Sequence, residues 1–133
     1  MEYWKDRLGR GLMWLLAALA IVAFVEGIRG MGIATPDRIW VEAWRTFAYV
    51  TFAGLFALLA LRPRNSPAIW ELTFGHKLAV TLFGFWLGDS VPEVSVSGKV
   101  NLALSVMIAA AWVLCRGWMS WATWNATDPG LKK

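Results

Sequence analysis

Four stretches of this chain carry no charged residue: Gly11 to Val25, Thr46 to Leu61, Leu78 to Gly88 and Val100 to Cys115. Each alone is shorter than the roughly 18 residues that mark a spanning helix. Their constraining property is the missing polar face. A helix on the surface of a soluble domain shows an apolar stripe backed by a charged face. The run from Leu12 to Val25 is apolar all round, and Thr46 to Leu61 is interrupted only by two threonines, a tyrosine hydroxyl and a glycine. A chain of 133 residues has too much surface to bury four such helices on every side. Lipid must cover the remainder.

The runs also extend naturally to 11–28, 44–61, 70–88 and 100–118. At 18–19 residues each they reach about 27–29 Å, close to the hydrocarbon thickness of a bilayer. The polar residues within these limits (Glu26, Arg45, Glu71, His76, Lys77, Arg116) are placed near the ends, where long side chains snorkel. In lipid, every backbone group must be satisfied internally, and the pattern lacks the strict alternation of a membrane barrel. The expected fold is therefore all-α: a single membrane domain over 1–133, with four transmembrane helices in a compact bundle. The basic start and apolar middle of the first segment also suit a signal peptide. No small-x-small cleavage pattern follows it, so it reads as a retained helix.

Four spans put both termini on one side. Nine Lys and Arg fall on that side (Lys5, Arg7, Arg10, Arg62, Arg64, Lys77, Arg116, Lys132, Lys133) and four on the other (Arg29, Arg38, Arg45, Lys99). The positive-inside rule then predicts N-in/C-in topology, in keeping with a bacterial inner membrane. The ten tryptophans follow the same map. Trp4, Trp14, Trp70, Trp118, Trp121 and Trp124 fall near the inner interface, Trp40, Trp44 and Trp86 near the outer one, and Trp112 deeper. Indole pairs an apolar body with one N–H donor and prefers the headgroup boundary.

The connections are short. Met31 to Arg38 reads as a turn and Ile39 to Arg45 as one interfacial helical turn. In the tight basic turn from Arg62, Ser66-Pro67 fits an N-cap followed by proline at the first helical position. Ser90 to Gly98 alternates apolar and polar residues around Pro92 and reads as an extended external loop. After Cys115, Trp118, Trp121 and Trp124 recur every three residues. This Trp-rich tail (116–126) reads as an interfacial extension of the fourth helix, stopped by Asp128-Pro129-Gly130. Asn125-Ala126-Thr127 matches a glycosylation sequon but falls on the cytoplasmic side.

Few residues suggest chemistry. Glu71, His76 and Lys77 form the densest polar cluster at the start of a span, where ionisable groups are functional candidates. Glu71 and His76 are about 140° apart around a helix, so only other helices could unite them. The bland alternative is an amphipathic first turn with Lys77 snorkelling inward. His76 offers one axial ligand to a haem or chlorin, but a lone histidine is a weak case, and no cofactor is expected beyond bound lipid. Lipid or headgroup contact is expected of Trp70, Lys77, Arg116, Trp118, Trp121 and Trp124. Glu26, Arg29, Arg45 and Asp89 suit an outer charge network, with a Glu26–Arg45 pair between helices. No span shows an acid or base near its midplane, which argues against a proton-coupled transporter.

Packing signals are clearer. Gly84-x-x-x-Gly88, Gly75-x-x-x-Ala79, Ala53-x-x-x-Ala57 and Ser105-x-x-x-Ala109 permit close helix contact, a main route to association in lipid. Catalytic motifs, zinc patterns and nucleotide loops are absent, and the basic charge is scattered without a nucleic-acid fold signal. Cys115 reads as a buried free thiol. These features lead to a small non-catalytic membrane protein, an accessory or structural subunit of a larger membrane complex. The alternatives are a homo-oligomeric pore, holin-like or small-transporter component, and a cofactor- or lipid-binding protein using Glu71, His76 and Lys77. Its partners would be membrane lipids and other membrane subunits or itself, with no nucleic acid.

Overall fold

The computed structural model describes residues 3–127, and these lie in helices and short turns. The helices are α1 (Tyr3–Ile33), α2 (Ile39–Leu61), α3 (Ile69–Leu87), α4 (Pro92–Leu114) and α5 (Met119–Thr127), with a single 3-10 turn at Gly88–Ser90. Three of them, α1, α2 and α4, are long and apolar enough to cross a membrane. Helix α3 is also 19 residues long. Glu71, His76 and Lys77 interrupt the apolar run in its first half.

The helices are longer than the apolar runs alone suggest. Helix α1 extends well beyond 11–28 at both ends, and Ile39 to Arg45 is no separate turn but the start of α2. The largest correction is at Ser90 to Gly98. Most of this segment is the beginning of α4, with proline in the first turn and Glu93 beside the positive helix end. The Val-Ser alternation resembles a strand. A strand there would leave unpaired backbone groups, whereas a helix satisfies them within the segment.

Helix α1 packs along α2, and α3 along α4. The two pairs are joined mainly where α1 meets α4, while α2 and α3 touch more lightly. Three glycine-containing crossings set these distances. A Cβ on Gly9 would lie 2.5 Å from the Cys115 sulfur, and one on Gly27 would lie 2.4 Å from the Thr46 hydroxyl. At the third crossing, a Cβ on Gly84 would lie 3.3 Å from the Gly98 Cα. Of the small residues singled out by spacing, Gly84 and Ser105 are buried and Ala109 is half-buried. Gly75 has open space where a side chain would go, and Ala79 is exposed. Gly88 does not pack a second helix. It takes φ 63° and caps the end of α3.

The core is gathered toward one end. It comprises Met13, Leu16, Ala17 and Ala20 of α1, Phe52, Ala53, Phe56, Leu59 and Ala60 of α2, Trp70 of α3, and Ile108, Ala111 and Cys115 at the end of α4. These residues surround the end that carries the start of α1, the α2–α3 turn and the α4–α5 link. The opposite halves of α1 and α2 bury little besides Thr46, whose hydroxyl has no hydrogen-bond partner.

Two turns depart from expectation. Ser66 is not the N-cap of α3. Its hydroxyl donates to the Arg62 carbonyl, and the helix starts after Ala68, which sits at φ 66°. The tail is not a continuation of α4. Arg116 takes φ 55°, its N–H donates to the Val113 carbonyl, and the Gly117 N–H donates to the Trp112 carbonyl at 2.7 Å. This double closure is a Schellman motif with arginine at the left-handed position usually held by glycine. It turns the chain so that α5 is a separate helix. The stop at Asp128 to Gly130 and the trailing Lys132 and Lys133 lie outside the described residues.

Candidate functional site

The best-built polar site is at the core-rich end. Asp6, in the first turn of α1, accepts from two guanidiniums: Arg10 Nε at 2.8 Å and Arg64 Nη2 at 2.5 Å. Arg10 also donates to the carbonyls of Ala60 and Leu61 at 3.2 and 3.1 Å, and Arg64 to that of Cys115 at 3.1 Å. Each arginine thus meets the carbonyl end of a helix, α2 for Arg10 and α4 for Arg64, where the dipole favours a cation. Asp6 is at the N-terminal end of α1, where the dipole favours an anion. One carboxylate and two arginines therefore tie together α1, α2, α4 and the α2–α3 turn. Sequence reasoning used Arg10 and Arg64 only as topology signals. The i,i+4 spacing of Asp6 and Arg10 was legible; the arrival of Arg64 was not.

The α2–α3 turn is gripped a second time through one carbonyl. The Trp70 indole N–H donates to the Pro63 oxygen at 2.9 Å, and the Ser120 hydroxyl donates to the same oxygen at 3.0 Å. Trp70 is only 2% exposed. It is a core residue whose single donor is satisfied internally. The tail is anchored again where the Trp121 indole donates to Glu71 at 2.9 Å. Trp118 stacks edge-on against Trp112 with centroids 5.2 Å apart, and both Trp118 and Trp124 remain largely exposed. Helix α5 is thereby tied by side chains to the α2–α3 turn and the start of α3. Arg116 is exposed beside this junction.

Glu71, His76 and Lys77 do not converge. Glu71 is engaged with Trp121, while His76 and Lys77 both meet Phe52 of α2. The imidazole centroid is 4.7 Å from that of Phe52, and the Lys77 nitrogen is 3.8 Å from the same ring centroid. Lys77 does not snorkel from a helix end. It is the ninth residue of a 19-residue helix and is 8% exposed. Eight residues from Ile69 correspond to about 12 Å along the axis. Thr73 and Thr81 lie buried on the same face, their hydroxyls returned to carbonyls four residues back. Lys77 is thus a buried ionisable group at the middle of α3. Among the described residues, Lys77 makes no ion pair.

The outer charge network forms with different partners. Arg29 pairs with Glu26 within α1, and Arg45 with Glu42 within α2, so the expected Glu26–Arg45 pair is absent. Arg38 supplies the link between elements by reaching both Glu42 and Glu93. Asp89 is exposed and takes no part among the described pairs. The local i,i+3 partners win because they need no long side chain to cross a gap between helices.

Cys115 is buried as a free thiol. No group of three His, Cys, Asp or Glu positioned to hold a metal occurs among the described residues. No family model, curated protein or solved structure matches this chain. Its class is therefore defined by the fold alone: an all-helical protein with three helices fit to cross a membrane.

Proposed function

We propose that the chain is a four-span integral membrane protein, α3 being the fourth span, with both termini cytoplasmic in a bacterial inner membrane. We read its role as that of a non-catalytic structural subunit of a larger membrane complex. The observation that carries this reading is the apolar exposure of the helix faces. On α3 alone, Leu72, Leu82, Phe83, Phe85 and Trp86 are each more than half exposed, with Gly75 open among them. Apolar surface on this scale needs lipid or another protein to cover it. Helix α3 is about 28 Å long, enough to cross. Removing Lys77 from the inner count leaves eight cations there against four outside, so the topology argument stands.

Purification from mild detergent tests the reading. Recovery at fixed stoichiometry with larger membrane proteins is the expected result. A homo-oligomer with a polar lumen overturns it.

Lys77 favours a second reading, a component of a small transporter or pore. Ionisable groups inside a membrane domain mark ion and substrate pathways by default. Lys77→Met and Lys77→Arg variants in reconstituted vesicles separate the two readings. The transport reading expects a flux in the native protein that Lys77→Met abolishes and Lys77→Arg partly keeps. A silent native protein removes it.

A further inference from the structure

A cavity of about 220 Å³ opens at the core-rich end, lined by Lys5, Asp6, Arg64, Val113, Leu114, Arg116 and Trp118. Its three cations come from three separate places: the first turns of α1, the α2–α3 turn and the α4–α5 link. The one carboxylate is already engaged by Arg10 and Arg64. Arg64 is held in place by its bonds to Asp6 and the Cys115 carbonyl, which use two of its five N–H donors. The Arg116 side chain makes no hydrogen bond or ion pair among the described residues, its backbone bonds being those of the turn. The residue also occupies a left-handed backbone position that costs a residue with a Cβ about 1–2 kcal/mol. Val113, Leu114 and Trp118 form an apolar wall beside these charges.

We propose that this cavity binds the phosphodiester headgroup of an anionic phospholipid. Lys5, Arg64 and Arg116 hold the phosphate, and Val113, Leu114 and Trp118 receive the glycerol and the first methylenes of the acyl chains. Basic pockets between helices at the cytoplasmic face recognise such headgroups. The apolar wall distinguishes this ligand from a free phosphate ion, which would gain nothing from it. The site lies about 8–9 Å along α1 from Gly11, where the uncharged run begins, and so at headgroup level. The proposal rests on the membrane reading given above.

The test is native mass spectrometry of the full chain in non-ionic detergent, titrated with dioleoyl phosphatidylglycerol and separately with dioleoyl phosphatidylcholine. The anionic lipid is expected to be retained preferentially. Each cation removed should weaken its retention about fivefold, from the roughly 1 kcal/mol per basic residue near an anionic surface. Lys5→Gln and Arg116→Gly together should bring it close to the phosphatidylcholine level, whereas Arg116→Lys should keep most of it. Arg116→Gly places glycine where the backbone favours it, so this single variant carries the test if the double variant melts differently. Undiminished phosphatidylglycerol retention in Arg116→Gly overturns the proposal. Displacement of the lipid by millimolar inorganic phosphate overturns the lipid assignment in favour of a phosphate site. Recovery of the chain without detergent would instead show that the membrane reading has failed.

Discussion

The two ends of the molecule are held together by different means. At the end bearing the start of α1, Asp6, Arg10 and Arg64 form a partly buried network that also caps two helices, and the apolar core surrounds it. At the other end, Arg38 bridges Glu42 and Glu93, and Arg29 and Arg45 pair with neighbours on their own helices. Ion pairs of that kind contribute little in water, where the charges are solvated and screened. The contrast teaches that charge count says little about cohesion. The closed end binds elements distant in sequence through side chains with few alternatives, while the open end leaves its helices free to adjust.

The largest expected effect breaks the closed end. Asp6→Ala leaves two guanidiniums facing helix termini without their shared carboxylate. Loss of one member of a fully buried pair costs about 3–5 kcal/mol. Asp6 is 15% exposed and the arginines more so, so about 2 kcal/mol is expected here. Unfolding in detergent, by heat or by sodium dodecyl sulfate, measures it. Glu93→Gln at the open end is the control. If both variants unfold alike, the distinction between the ends is lost.

The next effect concerns glycine, where the chain offers its own comparison. Gly9→Ala forces a methyl group against the Cys115 sulfur at the α1–α4 crossing, an overpacking expected to cost about 1–3 kcal/mol. Gly75→Ala meets open space and should be neutral or stabilising by up to about 1 kcal/mol, because alanine is the better helix former. The same unfolding measurement ranks them. A reversed order would mean that the α1–α4 crossing is not where the helices are closest.

These glycines show what the sequence made legible. Periodicity and charge-free runs revealed helices, their approximate positions and the shortness of the connections, because those depend on local composition. Spacing picks out Gly84, which does make the α3–α4 approach, together with Gly75 and Gly88, which make none, whereas Gly9, Gly27 and Gly98 make approaches and match no small-xxx-small spacing singled out from the sequence. A crossing point depends on how two helices are placed, which spacing along one helix does not encode. Trp70 illustrates the same limit. Its place in the chain suits an interfacial anchor, yet the Pro63 carbonyl satisfies its N–H and draws the ring inside. Lys77 was assigned to a helix end because the uncharged run began after it. The expected span of 70–88 already made it the eighth of nineteen residues, and the start of α3 at Ile69 moves it by only one position, so the charge pattern and not the helix bounds misplaced it.

A smaller effect is expected from the exposed bridge between α2 and α4. Glu93→Gln removes a contact of 3.1 Å between Arg38 and a solvent-facing carboxylate. Any change in melting temperature should be near the scatter of replicate measurements. It should vanish at about 1 M salt, where the screening length falls to about 3 Å. A salt-resistant loss would show that Arg38 joins α2 to α4 more firmly than its exposure implies.

The smallest effect lies in the turn between α1 and α2. The Thr35 hydroxyl donates to the Asp37 carboxylate and, with a backbone N–H and the nearby Arg38 charge, holds that carboxyl below its ordinary value near 3.8. A carboxyl with a depressed folded pKa contributes stability that is fully present above its unfolded value and is lost as pH falls through the folded one. The turn should therefore be insensitive to pH from neutrality down to about 4 and loosen only below that. Thr35→Val removes the leading cause and should move the Asp37 titration upward, toward 3.8, with the rest of the chain unaffected. Carboxyl chemical shifts followed against pH in micelles read this directly. An unmoved Asp37 titration would place the cause in the backbone N–H and Arg38, and would make the open end still less dependent on its side chains.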